Sequence, residues 1–397
     1  MKSADTKTTL LLGPRLVLPE SVVERGALVI EDDLIAHVGD EDQVTRAEHT
    51  LDLEDLTLFP GFIDIHIHGA IGVDTMDATA SDLERVSQFL ATRGVTGWLP
   101  TLVPAPVEQY ARAVESIERL MGAQQRLTGP SQGARALGVH YEGPFVNSAQ
   151  CGALRSQFFR SFSSPTDLDD LPVIEGQVAK HLITVAPEID GGVGLVRELH
   201  RRGWIIAIGH TRASFDLLDA ALAAGAHHLT HFMNAMTPLH HRAPGPVAWG
   251  LLHDDVTCDL IADGVHLDPQ MLRLLLKLKR ADRLTLISDA VAAAGMGDGA
   301  YDIWGEKITV EAGRTRNSRG AIAGSVITMS EAVRMMLSVG ASEIEAATMA
   351  STNPARLLGI DQDCGSIEEG KRADLVALDA GGNVRMTIIG GRVAFQA

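Results

Sequence analysis

The stretch Pro60-Gly61-Phe62-Ile63-Asp64-Ile65-His66-Ile67-His68-Gly69 joins a short apolar run to two histidines. Side chains i and i+2 of a strand point to the same face, so His66 and His68 can bind one ion from the end of one strand. The pair has little weight alone, because 15 histidines in 397 residues give roughly 0.6 His-x-His pairs by chance. The stretch therefore predicts a buried strand ending in two metal-ligand side chains, and this prediction needs support from the rest of the chain.

Seven further apolar runs of strand length follow the first, and amphipathic helical stretches separate most of them. The eight runs are 61–67, 95–99, 136–140, 182–185, 204–208, 227–229, 257–261 and 284–287. The helical stretches are 82–93, 107–121, 193–202, 215–224 and 271–280. Strand followed by helix, eight times, is typical of a (β/α)8 TIM-like barrel, whose buried parallel strands are continuous apolar runs. An open doubly wound sheet is the alternative, although no Gly-x-Gly-x-x-Gly turn follows the first run.

Residues of metal-ligand type follow five of these runs at equivalent places. They are His66 and His68 (first run), Glu142 (third), His210 (fifth), His231 (sixth) and Asp289 (eighth). The carboxyl ends of barrel strands meet at one mouth, where catalytic groups of this fold lie. We therefore expect these six side chains to form one site.

Imidazole and carboxylate ligands suit Zn²⁺, and also Fe²⁺, Mn²⁺ or Co²⁺. Glu142 could bridge two ions, which lie about 3.5–4 Å apart in such sites. Asp289 has a different expected role, because a carboxylate beside an activated water can accept its proton and return it to a leaving amine. A helix cap at Ser288-Asp289-Ala290 is the structural alternative for Asp289. We do not expect metal binding by the remaining histidines near the mouth, which are His227, His228, His240, His241 and His253.

Both ends of the chain read as short strands separated by turns. The N-terminal runs are 8–12, 27–30 and 34–38, and the C-terminal runs are 373–378 and 384–389. Neither end has enough apolar surface for a core of its own. We predict a small β-sandwich domain built from residues 1–58 and 360–397, with the metal-dependent (β/α)8 barrel of residues 59–359 inserted between them.

Composition excludes several kinds of partner. The chain carries 34 Lys and Arg against 51 Asp and Glu, a net charge of −17, which argues against nucleic acid or an anionic membrane surface. The three cysteines show no Cys-x-x-Cys pattern and read as free thiols of a reducing compartment. The polar stretch 1–7 lacks the apolar core of a signal peptide, and no apolar run approaches the length of a membrane helix. We expect a cytoplasmic protein.

Several motifs together resemble a known family. The 60–69 stretch is similar to the first barrel strand of the amidohydrolase superfamily, and His140-Tyr141-Glu142-Gly143-Pro144-Phe145 resembles the third-strand signature of N-acetylglucosamine-6-phosphate deacetylases. The later motifs match that family in order: Ala186-Pro187-Glu188, Gly209-His210-Thr211, His231-Phe232-Met233-Asn234-Ala235-Met236, Ala262-Asp263-Gly264-Val265-His266, Ser288-Asp289-Ala290 and Gly365-Ser366-Ile367-Glu368-Glu369-Gly370-Lys371-Arg372-Ala373-Asp374-Leu375. The resemblance spans nearly the whole chain.

The resemblance implies hydrolysis of the acetamide of an N-acetylated amino-sugar 6-phosphate. Glu142, His210 and His231 would hold the main metal, His66 and His68 a second one, and Asp289 would be the acid and base. The substrate contacts that it implies are Ala153, Asn234, Ala235, Arg242, His266, Ile322, Ala323, Gly324 and Ser325. In the family the arginine reaches the site of a neighbouring subunit, so a homodimer is expected. A guanidinium also gives an acidic protein a bidentate grip on phosphate.

One position departs from the family pattern. After Glu142 the family usually has Gly-Ala-His, with the histidine touching the sugar, whereas this chain has Gly152-Ala153-Leu154. Leucine cannot donate that hydrogen bond, so the galacto epimer is an alternative substrate, and Arg155 or His241 is an alternative contact.

Two other functions remain open. A deacylase of unphosphorylated N-acyl compounds or a cyclic-amide hydrolase would not need Arg242 or His266. A catalytically silent barrel that serves as a binding protein would have lost ligands, whereas this chain keeps all six.

Overall fold

The computed structural model of the protein describes residues 8–40, 49–126, 133–176 and 178–397. The 1–7 stretch, on which the expectation of no signal peptide rests, lies outside them. The strands are β1 (Thr8–Leu12), β2 (Arg15–Val17), β3 (Val22–Val23), β4 (Gly26–Glu31), β5 (Leu34–Asp40), β6 (His49–Asp52), β7 (Thr57–Pro60), β8 (Phe62–Ile67), β9 (Gly69–Ala70), β10 (Val73–Asp74), β11 (Val95–Leu102), β12 (Arg135–Ala136), β13 (Gly138–Glu142), β14 (Lys180–Val185), β15 (Ile205–Ile208), β16 (His228–Leu229), β17 (Thr257–Ile261), β18 (Leu284–Ile287), β19 (Gly299–Ile303), β20 (Glu306–Glu311), β21 (Arg314–Arg316), β22 (Leu375–Leu378), β23 (Val384–Ile389) and β24 (Arg392–Gln396). The helices are α1 (Ala80–Ala91), α2 (Val107–Arg126), α3 (Gly192–Arg201), α4 (Phe215–Ala224), α5 (Gly245–Leu252), α6 (Pro269–Lys279), α7 (Met329–Ser338), α8 (Glu343–Ala347) and α9 (Asn353–Leu357).

Eight parallel strands form a nearly closed barrel in the order β8, β11, β13, β14, β15, β16, β17 and β18. A parallel bridge between Ile67 and Ala290 joins the first strand to the residues after the last one. The fold class expected from the eight apolar runs is confirmed, and the open doubly wound sheet is excluded.

The barrel strands share a buried cluster of aliphatic side chains. Ile65, Leu99, Leu182 and Ile261 belong to this cluster, and so does Leu358, which follows α9. Because apolar residues fill the barrel, its polar functional groups lie at the mouth formed by the carboxyl ends of the strands, as in other barrels of this type. The helices bury one face against the outside; α1, for example, begins with a capping box at Thr79.

The two ends of the chain meet in a pair of further sheets. One has the order β5-β4-β1-β6, and the other joins N-terminal to C-terminal strands in the order β24-β23-β22-β7-β2-β3. A shared apolar cluster contains Leu11, Leu28, Leu58, Leu375 and Ile388. The division at residues 58 and 360 stays a prediction, but these contacts support it.

A three-stranded antiparallel sheet, β19-β20-β21, follows the last barrel strand and was not predicted. Its strands are largely exposed and polar, so they show no apolar run that would mark them in the sequence. Because it stands in the connection after β18, it lies at the mouth of the barrel.

Among the described residues, no helix has both the length and the apolar character needed to cross a membrane.

Candidate metal centre and active site

Five predicted ligands lie in two overlapping groups at the barrel mouth. Their ligand atoms lie within 4.8 Å of one another in each group, which are His66, His68 and Glu142, and Glu142, His210 and His231. All five side chains are buried. Glu142 belongs to both groups, as expected for a carboxylate that could bridge two ions.

The distances show how tightly the groups converge. His210 Nε2 lies 2.8 Å and His231 Nε2 lies 3.0 Å from Glu142 Oε1, and the two imidazole nitrogens are 3.1 Å apart. His66 Nε2 and His68 Nε2 are 3.2 Å apart. Neutral imidazole nitrogens that face each other at such distances cannot all be hydrogen-bonded among themselves, whereas a cation between them would satisfy every lone pair. The donor set therefore fits a divalent metal.

Hydrogen bonding fixes the orientation of one imidazole. His210 Nδ1 lies 2.8 Å from the carbonyl oxygen of Gln150, which can only accept, so this nitrogen carries the proton. His210 Nε2 is then the lone-pair nitrogen of the neutral ring, and it is this atom that faces Glu142. Metal ligands are held in this way by a partner for the other ring nitrogen.

Left-handed backbone at the strand ends turns several site residues into the mouth. The φ angles are 47° at His210, 31° at His231 and 49° at Asp289, and Met233 and Ala235 in the same turn as His231 are also positive. Such angles are uncommon for residues other than glycine and cluster at functional sites. The helix-cap alternative for Asp289 is wrong, because no helix begins there and Ala290 instead bridges to Ile67 and Ser325.

The electrostatics of the site favour ionised carboxylates. Burial would raise the pKa of Glu142, but the neighbouring His66, His210 and His231 hold it well below its usual range. Burial likewise opposes ionisation of Asp289, yet the charges of His66 and His68 lower its pKa. Bonds to Asp289 and Glu142 raise the pKa of His68 to about 10 against the effect of burial, and a bound cation would displace this proton, because a metal ligand must present a lone pair. Asp289 is thus in the form that accepts a proton.

A second layer of buried polar groups supports the ligands, and sequence patterns did not mark it. The carboxylate of Asp259 accepts from the backbone N–H of His231, and its other oxygen lies 3.1 Å from His228 Nε2. His140 packs against the ring of His66 with centroids 4.5 Å apart, and its Nε2 lies 2.9 Å from Thr184 Oγ1. Asp259 stands within an apolar run, so only the register of β17 reveals its role.

A pocket of about 150 Å³ opens over the metal groups. Its lining includes six of the nine predicted substrate contacts, which are Ala153, Asn234, Ala235, His266, Ile322 and Gly324. Ala323 and Ser325 are buried and do not line it. Leu154 also lines the pocket, at the position where the family resemblance predicts histidine.

Arg242 is placed differently from the other predicted contacts. It is exposed, bonds His241 Nε2 through Nη1 at 2.7 Å, and does not line the pocket of its own chain. His266, in contrast, lines the pocket and is oriented by Asp263, with Nδ1 2.7 Å from Oδ2. Arg242 is therefore the one predicted substrate contact that is exposed to solvent outside this pocket.

Trp304, which was not predicted, forms one wall of the pocket. Its ring meets that of His68 edge to face, with centroids 5.0 Å apart. Trp304 occupies the turn of the unpredicted β19-β20 hairpin, so its place in the site follows from a structure that the sequence did not indicate.

A barrel with buried histidine and carboxylate ligands at its mouth defines a class of metal-site hydrolases. The chain belongs to the amidohydrolase family, whose model matches residues 57–394. It is similar to N-acetylgalactosamine-6-phosphate deacetylase of Escherichia coli O157:H7, with 37% identity over 388 residues covering 98% of this chain and 99% of the relative. It is also similar to N-acetylglucosamine-6-phosphate deacetylase of Bacillus subtilis (strain 168), with 35% identity over 386 residues covering 96% and 95% of the two chains.

Solved structures give the same result. N-acetyl-D-glucosamine-6-phosphate deacetylase from Mycobacterium smegmatis, solved as a variant in complex with N-acetyl-D-glucosamine-6-phosphate, has a TM-score of 0.88 at 31% identity, covering 98% of this chain and 100% of that one. The corresponding enzyme from Pasteurella multocida has a TM-score of 0.88 at 30% identity, with 98% and 99% covered. The expected resemblance to N-acetylglucosamine-6-phosphate deacetylases is confirmed.

Proposed function

We propose that the chain hydrolyses the acetamide of an N-acetylhexosamine 6-phosphate, with N-acetyl-D-glucosamine 6-phosphate as its main substrate. The products are acetate and the amino sugar 6-phosphate. One observation carries the proposal: Asp289 lies beside the ligand groups, with Oδ1 3.2 Å from His68 Nε2, in a chain that matches such deacetylases over nearly its full length.

The chemical step needs one acid-base group and one water molecule. Asp289 accepts a proton from water as the water oxygen forms a bond to the acetyl carbon. The C–N bond then breaks, and Asp289 returns the proton to the leaving nitrogen. Burial excludes bulk water from this exchange, since Asp289 is only 7% exposed.

The histidine and carboxylate donors favour zinc, and iron, manganese or cobalt are alternatives. Glu142, His210 and His231 would hold the main ion, and His66, His68 and Glu142 offer a second position. When bound, the cation would polarise the acetyl carbonyl and lower the pKa of a water molecule.

The substrate's sugar and phosphate would meet the outer part of the pocket. His266 and Asn234 line it and can bond polar groups of the sugar phosphate. Arg242 would bind the phosphate in the partner subunit of a homodimer, which agrees with its exposure and its distance from its own pocket. The three free cysteines agree with a cytoplasmic location.

The galacto epimer is a second candidate substrate, and a specific observation favours it. Leu154 presents an apolar, buried side chain to the pocket where the family resemblance predicts histidine. A relative with 37% identity is named N-acetylgalactosamine-6-phosphate deacetylase. The epimers differ only in the direction of one sugar hydroxyl, so a changed pocket wall is sufficient to change the preference.

An amine-release assay on N-acetylhexosamines, each with and without a 6-phosphate, tests the proposal. The metal-loaded protein is expected to hydrolyse the phosphorylated gluco or galacto compound and to discriminate strongly against the unphosphorylated ones. Equal rates with and without phosphate would instead favour a deacylase of unphosphorylated N-acyl compounds. Absence of turnover on every amide, with metal bound, would favour the binding-protein alternative.

A further inference from the structure

Trp304 occupies a backbone position that disfavours it. It forms the turn between β19 and β20 together with Gly305, and both residues have positive φ angles, of 54° and 77°. Two-residue hairpin turns with positive φ at both positions favour Asn, Asp or Gly, and a bulky side chain there is strained. Strain of this kind persists where the surrounding structure holds the residue in place, and it is concentrated at functional sites.

The indole also has an unpaired donor. Its Nε1 is buried and has no hydrogen-bond partner among the described residues. A buried N–H without an acceptor costs free energy, so a ligand that brings an oxygen to this position would gain a bond. Trp304 and Ala153 pack against one apolar cluster and both line the pocket, so the indole side of the hairpin lies next to the loop after Glu142.

The position of the ring indicates which part of a substrate it meets. His68, which the indole contacts edge to face, has its Nε2 3.2 Å from Asp289 Oδ1 and 3.3 Å from Glu142 Oε2. The amide carbon must lie against these same groups to react. Trp304 is therefore beside the reacting amide, the part of the substrate that carries the acyl group.

We propose that Trp304 closes the acyl side of the pocket and limits the substrate to short acyl groups. The indole N–H would donate to an oxygen of the bound substrate. This inference rests on the proposed deacylation of an amino-sugar phosphate and adds a residue that selects the length of the acyl chain. A wall of this kind discriminates by about 10–200-fold for each methylene that does not fit.

The test measures kcat/KM for N-acetyl, N-propionyl and N-butyryl glucosamine 6-phosphate. Trp304→Ala is expected to raise the butyryl-to-acetyl ratio by about tenfold or more over the unaltered protein. Trp304→Phe keeps most of the wall and removes the donor, so it should keep the ratio and raise KM by about threefold to tenfold. Tyr301→Ala is the matched control, because Tyr301 lies on the same hairpin but does not line the pocket.

An unchanged ratio in Trp304→Ala, with metal content and unfolding temperature like those of the unaltered protein, would overturn the inference. A ratio changed equally by Tyr301→Ala would also overturn it, since the hairpin and not the indole would then be responsible. If Trp304→Ala does not fold, Trp304→Leu gives the same comparison with an apolar side chain in place. Failure of the unaltered protein to deacetylate N-acetylglucosamine 6-phosphate and its galacto epimer would refute the proposed function instead.

Discussion

The backbone N–H of Asp289 donates to the carbonyl oxygen of His66 at 2.8 Å, and this bond closes the barrel. The same contact brings Asp289 Oδ1 to 3.4 Å from His66 Nε2. The first and last strands of the barrel are more than two hundred residues apart in the chain, and their closure builds the junction between the metal ligands and the acid-base group. The contacts that join the first and last strands of the barrel therefore also position the groups of the site.

Asp289→Asn should lower kcat by about 10²–10⁴-fold, because an amide cannot accept the proton of the attacking water. The variant keeps the size of the side chain, so metal content and unfolding temperature should stay close to those of the unaltered protein. Steady-state amine release measures kcat, metal analysis measures the metal content, and thermal unfolding gives the unfolding temperature. Asp216→Asn on the exposed face of α4 is the control and should have full activity. Substantial residual turnover in Asp289→Asn would assign the proton transfer to another group.

The barrel could be predicted because its strands are continuous apolar runs, and the ligands because they follow these runs at equivalent places. Other features left no local pattern. Trp304 stands in a hairpin of polar strands, and Asp259 is a single carboxylate within an apolar run. The role of both depends on contacts between distant segments, to His68 and to His231, which no local spacing encodes.

Glu142→Gln should remove more metal than any single histidine variant, since Glu142 is shared by both ligand groups. His68→Asn should lose at most one equivalent, because Glu142, His210 and His231 remain. Metal analysis after dialysis gives the stoichiometry, with Glu118→Gln on the exposed face of α2 as control. Chelation should also reduce the free energy of unfolding by about 3 kcal/mol where the free metal had been at 100 times its Kd, and so lower the unfolding temperature. Complete loss of metal from His68→Asn would contradict two separable positions.

Asp259→Ala should weaken metal binding by about 10–100-fold without removing a ligand, as is usual when a group that orients a ligand is lost. The reason is that the Asp259 carboxylate holds the backbone N–H of His231, and His231 Nε2 contacts Glu142. Competition with a chelator measures the affinity. Asp219→Ala is the matched control. Asp219 Oδ1 accepts a hydrogen bond of 2.7 Å from Trp249 Nε1, and Asp219 belongs to neither ligand group. Equal affinity in the two variants would show that His231 needs no such support.

The three cysteines should differ in reactivity. Burial raises the pKa of Cys258 to about 12 and that of Cys364 to about 11, and both side chains are almost fully buried. Cys151 is partly exposed. A thiol reagent should therefore modify one cysteine in the native protein and three in denaturant, and Cys151→Ser should abolish the native reaction. Rapid modification of a second native thiol would mean that a buried cysteine becomes accessible.

Arg242 should act on the site of a partner subunit, because in its own chain it is exposed and outside the pocket. Arg242→Ala should then raise KM for a phosphorylated substrate and leave that for an unphosphorylated one almost unchanged. Arg242 could act across the dimer or within its own chain. Mixing the Arg242→Ala and Asp289→Asn proteins, followed by dissociation and reassociation of the subunits, distinguishes these two arrangements. If the arginine acts across the dimer, the mixed dimer has one site with both groups, and random pairing restores roughly a quarter of full activity. If it acts within its own chain, no site has both groups, and the mixture, assayed at a substrate concentration well below the raised KM of Arg242→Ala, shows only the mean activity of its two components. Recovery of activity therefore requires a dimer in which Arg242 of one subunit acts in the site of the other.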